Sequence, residues 1–82
     1  MNTVKQAYAA SEVYARNRLG WRYADAFCSY RTHGDGRMVT VKGLSNDLRP
    51  SQVKLLVDSE GNIVAKAEGP HYALGYQAFT RA

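Results

Sequence analysis

Cysteine is nearly missing from this chain: Cys28 is the single one among 82 residues. One thiol excludes an internal disulfide framework and a cysteine-rich zinc site, and it fits a reducing compartment, so the expected location is cytoplasmic. Long apolar runs are missing as well. Residues 1–20 hold neither the apolar h-region of a signal peptide nor enough consecutive apolar residues to span a bilayer, so no membrane partner is expected. The two histidines, His33 and His71, have no metal-ligand spacing with the carboxylates, and neither a metal nor a cofactor is expected. Carboxylate pairs suited to acid–base work are equally sparse, since Asp58 and Glu60 flank a turn where solvation accounts for them. Cys28, His33 and Asp35 have the residue types of a nucleophile, a base and its orienting group. On an extended strand, however, Cys28 and His33 stand about 16 Å apart. Gly34 and Gly36 form neither a dinucleotide fingerprint nor a Walker loop, because no Lys-Ser or Lys-Thr pair follows them. These absences point away from catalysis.

What is present is one small domain, residues 1–82, with no internal repeat, low-complexity tract or linker. A chain of this size buries only about 60–65% of its unfolded surface, so a bound partner or self-association would add to a small stability margin. The net charge of +4 is concentrated in one segment. Arg16, Arg18, Arg22, Arg31, Arg37 and Lys42 face only Asp25 and Asp35 between residues 16 and 42, whereas the remaining cations and carboxylates balance. Such a segment attracts phosphates or an acidic protein surface, or simply keeps one face solvated.

The fold class expected is α+β, an N-terminal helix packed on an antiparallel sheet of about four to five strands in meander order. Thr3 and Gln6 have capping-box spacing, and Val4, Ala7, Tyr8, Ser11, Tyr14, Ala15 and Leu19 fall on one helical face, with Val13 an isolated exception. Gly20 supplies a left-handed stop. Residues 21–43 read as the central hairpin, with a two-residue turn drawn from Gly34, Asp35 and Gly36. That turn puts Val39 and Val41 on one face with Ala24, Ala26, Cys28 and Tyr30. It puts Trp21, Tyr23, Phe27 and Arg31 on the other with Met38, Thr40 and Lys42, and a loop one residue longer would invert the pairing. Residues 44–50, rich in turn formers, read as a loop or a short helical turn. A second hairpin pairs Val57 with Ile63, Leu55 with Ala65 and Val53 with Ala67 around a three-residue loop ending in Gly61. A helix over residues 50–60 is the competing reading. Alternation over residues 71–81 reads as a fifth strand.

With the two-residue turn, Trp21, Tyr23, Phe27 and Met38 lie away from the helix beside Arg31 and Lys42, with Arg22 and Arg37 at the ends. Three aromatics of about 150 Å² or more each make a patch that must be covered. If the register is inverted, these same side chains are core, the common place for Trp and Phe. Two binding roles fit an exposed patch. A larger protein or protein complex could be held by aromatic and arginine anchors, which concentrate interface energy. The alternative is single-stranded nucleic acid, its bases stacked on sheet aromatics and its phosphates on arginines, although no RNP pattern or helix-turn-helix is present. Self-association through the last strand, giving a homodimer, is a third reading. In size, single-domain simplicity and lack of catalytic groups, the chain resembles the small inhibitors of host defence complexes carried by phages and mobile elements, of anti-CRISPR or anti-restriction type. Many of those are acidic DNA mimics, which this basic chain is not. The order of helix then meander is similar to cystatin-like grips of sheet around helix, a likeness of architecture that carries no function.

Overall fold

The computed structural model describes residues 3–31, 36–68 and 80–81. Thr3 closes the expected capping box: the Gln6 N–H donates to Thr3 Oγ1 at 3.1 Å and the Thr3 N–H to Gln6 Oε1 at 3.0 Å, which satisfies two of the orphan amides at the helix start. Helix α1 (Val4–Asn17) then buries Ala7, Ser11 and Ala15, one small residue per turn, so that its backbone can come close to the sheet. The Ser11 hydroxyl is not stranded by this burial, because it donates to the Ala7 carbonyl at 2.7 Å. Tyr8, Tyr14 and Leu19 pack on the flanks of the stripe. Val4, expected on this face, is instead exposed, as is Val13, the expected exception. The chain reverses at Gly20, whose φ of 76° lies in the left-handed region.

Five strands follow, β1 (Tyr23–Arg31), β2 (Arg37–Leu44), β3 (Pro50–Val57), β4 (Ile63–Glu68) and the two-residue β5 (Thr80–Arg81), and they lie side by side in sequence order. Each neighbour pair is antiparallel, which makes the expected α+β meander. The helix reading of residues 50–60 is overturned. Val53, Leu55 and Val57 are all fully buried, and that period of two belongs to a strand with one face on a core. Of the fifth strand expected over residues 71–81, only Thr80–Arg81 falls among the described residues, paired with β4 through Lys66 and Thr80.

Gly34 and Asp35 of the expected two-residue turn lie outside the described residues. The described ladder runs to Arg31 opposite Arg37, and in that register Cys28 and Tyr30 oppose Thr40 and Met38. The register then shifts by one residue between Ala26 and Cys28, where Phe27 is the extra residue of a bulge. Beyond it Ala26 opposes Val41 and Ala24 opposes Gly43. The expected facing thus holds for Ala24 and Ala26 against the helix-side valines and is inverted for Cys28 and Tyr30. β1 is an edge strand, and the Ala26 N–H finds its acceptor on the helix, donating to Glu12 Oε2 at 3.0 Å.

A second shift lies in the other hairpin. Residues 59–61 form the expected loop, with Gly61 at φ 87°, its N–H donating to the Asp58 carbonyl at 3.1 Å, and Val57 opposes Ile63 as expected. Val64 is then an extra residue, so Ala65 opposes Leu56 and Ala67 opposes Lys54. Both alanines consequently leave the Val53 and Leu55 face to which they were assigned. The sheet is buried on both sides. Ala7, Ala15, Trp21, Ala24, Ala26, Val39, Val41, Val53, Leu55 and Val57 form the helix-side core. Met38, Thr40 and Ala67, buried as well, share the opposite face.

Residues 45–49 form the expected loop, with Leu48 at φ 63°. Its ends are tied by the Ser45 N–H to the Arg49 carbonyl at 3.0 Å. The Ser45 hydroxyl donates to the Asp47 carboxylate and, together with nearby Arg49, holds that carboxyl below its ordinary pKa.

Two tests follow from this geometry. A Cβ on Gly43 would land on the Tyr23 carbonyl oxygen, well inside contact distance. Gly43→Ala should therefore lower stability by about 1–3 kcal/mol in urea unfolding, the usual range for forced overpacking. The Asp58 carboxylate accepts the Asn62 and Glu60 N–H groups at 2.8 and 2.9 Å, chiefly the former holding its pKa below the ordinary value. A carboxyl lowered in the folded state stabilises above its unfolded pKa and loses that contribution as pH falls through the folded one. Asp58→Ala should be less stable than the parent at neutral pH, and thermal melts should show the difference narrowing below about pH 4.

Candidate interaction face

Pairing across β1, β2 and β3 arranges the face away from the helix in rows. Tyr23, Leu44 and Pro50 make the first, Asp25, Lys42 and Gln52 the second, and Tyr30, Met38 and Leu56 the last, with Cys28, Thr40 and Lys54 between. The bulge sets Phe27 beside the second row, and Lys42 Nζ lies 4.9 Å from its ring centroid. That contact is a cation–π interaction of about 0.5–1 kcal/mol at an exposed site. Asp25 is the cross-strand neighbour of Lys42. Even so, these two described residues form no ion pair with each other, and the Lys42 ammonium rests on the Phe27 ring instead.

The residues expected to bind a partner are divided by this arrangement. Tyr23, Phe27 and Lys42 come together, the two aromatics 56% and 47% exposed. Met38 shares their face but is buried. Trp21 is a correction. After the reversal at Gly20 its N–H donates to the Ala15 carbonyl at 3.0 Å, and its side chain joins the helix-side core rather than the outer face. Arg31 and Arg37 oppose each other on the helix side of the register, in line with Ser29, Val39 and Val57. Arg22 is exposed just before β1, its N–H donating to the Leu44 carbonyl at 2.9 Å. Three residues of the face were missed: Tyr30 and Leu44, 45% and 37% exposed, and Cys28, which is exposed rather than the buried small group expected. The signal for Cys28 and Tyr30 was the register, for setting Arg31 opposite Arg37 turns both outward.

Depressions lined by described residues flank the sheet, two of them beside the elements above. One of about 450 Å³ opens on the first two rows, between Tyr23, Lys42, Leu44, Pro50 and Gln52, with Gly43 in its lining. The other, about 510 Å³, runs between α1 and the β3–β4 loop beside Val13, Tyr14, Arg18 and Asn62. Among the described residues no group of three His, Cys, Asp or Glu side chains could hold a metal ion, and no helix is long and apolar enough to cross a membrane. The chain matches no protein-family model, no curated protein and no solved structure.

The division between core and face is measurable. Trp21→Ala should cost about 3–5 kcal/mol in urea unfolding, as removal of a buried aromatic does. Tyr23→Ala and Phe27→Ala should each cost about 1 kcal/mol or less, as exposed positions do. A reversed order would place Trp21 outside the core.

Proposed function

We propose that this chain is a non-enzymatic binding module that engages a larger protein through the outer face of β1 and β2. The observation that carries the reading is the gathering of Tyr23, Phe27, Tyr30 and Leu44, all more than a third exposed, on one rigid sheet face. Aromatic side chains on a fixed backbone bury much area at little cost in conformational freedom, which is how interface anchors work. Nucleic acid fits this face less well. The cations that the register puts on it across β1–β3 are Lys42 and Lys54, while Arg31 and Arg37 fall on the other side, so stacked bases would lack a run of phosphate contacts alongside. The resemblance to phage-borne inhibitors suggests the kind of partner, a subunit of a host defence complex held by steric occupation rather than by chemistry.

The test is affinity capture at low and moderately high salt, with and without nuclease, using the parent chain, Tyr23→Ala and Phe27→Ala. The expected result is a stoichiometric protein that survives nuclease and salt and is lost with either variant. Captured nucleic acid that salt removes, or a partner held equally well by both folded variants, would overturn the proposal.

A further inference from the structure

Resting on that reading, we infer that the depression beside Tyr23 is an anchor pocket for one apolar, preferably aromatic, side chain of the partner, flanked by a carboxylate that Lys42 receives. It is an open depression of about 450 Å³, a volume within the range that ligand clefts occupy. Its walls are the apolar row of Tyr23, Leu44 and Pro50, contributed by three adjacent strands, so the pocket stands on sheet rather than on loop. Gly43, also in its lining, lets the Tyr23 carbonyl approach β2 closely, because a Cβ there would land on that oxygen.

The second row supplies the polar half of the recognition. Lys42 and Gln52, side by side across β2 and β3, both line the pocket and offer hydrogen-bond donors next to its apolar end. The Lys42 ammonium lies over Phe27 and makes no ion pair among the described residues. A carboxylate arriving there would meet a cation already held in place. The charge of this face favours the same occupant, since its rows across β1–β3 hold Lys42 and Lys54 against Asp25 alone, an excess of positive charge that attracts a carboxylate.

The probes are indole-3-propionate and its uncharged amide, titrated into isotopically labelled full-length protein and followed by backbone amide chemical shifts. Both should perturb Lys42, Gly43, Leu44, Ser51 and Gln52, with dissociation constants on the order of 1 mM. The propionate should bind about two- to fivefold more tightly, the effect of one exposed ion pair. Lys42→Gln should abolish that preference and leave the amide unaffected, whereas Tyr23→Ala should weaken both probes. Shifts centred on the groove beside Val13, no shifts at all, or equal affinity of the two probes for the parent protein would overturn the inference. Failure of the probes with partner capture intact would remove the pocket and leave the binding face. Failure of capture with the probes still bound would remove the proposed function and leave the pocket.

Discussion

One extra residue in an edge strand decides which side chains this protein shows to solvent. A strand alternates its side chains with a period of two, so a single insertion moves everything beyond it to the other face. Phe27 is that insertion. On one side of it Ala24 and Ala26 meet the valines of β2 under the helix, and on the other Cys28 and Tyr30 stand outside with Phe27 itself. Without the bulge, the register that sets Arg31 opposite Arg37 would put Ala24 and Ala26 outside. The helix helps hold the distortion in place through the Glu12 carboxylate on the Ala26 N–H, and the same bond occupies part of an edge that could otherwise pair with another chain.

The rest of the architecture follows from close approach. Ala7, Ser11 and Ala15 on the helix and Ala24 and Ala26 on β1 let two backbones pack with little side chain between them, so the larger Val39, Val41, Val53, Leu55 and Val57 fill the middle of the core. Because Met38, Thr40 and Ala67 are buried on the opposite face, the small sheet is sealed on both sides over its centre. Its exposed large apolar side chains among the described residues are Tyr23, Phe27, Tyr30 and Leu44 along β1 and β2, and Val64 on β4. An exposed apolar face of this kind does not compete with the core for the same residues.

Legibility followed the range of the interactions. The capping box at Thr3, the reversal at Gly20 and the loop at Gly61 are each written in a few adjacent residues, and each could be read directly. The alternation of Val53, Leu55 and Val57 decided strand over helix for the same reason. What could not be read was register, because bulges at Phe27 and Val64 arise from pairing across strands and leave no local mark. That is why Ala65 and Ala67 changed faces, and why Cys28 and Tyr30 did. Trp21 was misassigned for a different reason: it stands before the strand begins, so the alternation extended back to it had no physical basis, and the glycine beside it redirected it into the core. Of the candidate face, Tyr23, Phe27 and Lys42 were legible and the arginines were not, since their placement depends on the same parity.

The bulge lets Cys28 face outward while Ala26, two residues before it, faces the helix, and the Cys28 thiol reports on that arrangement. The measurement is the rate at which Cys28 reacts with a soluble aromatic disulfide reagent in the native protein, compared with the same chain in denaturant at the same pH. The account predicts a native rate close to that of the unfolded chain, because the side chain is exposed. Protection that lifts only as the protein unfolds would put Cys28 beneath the helix, and the bulge and the face built on it would both be wrong.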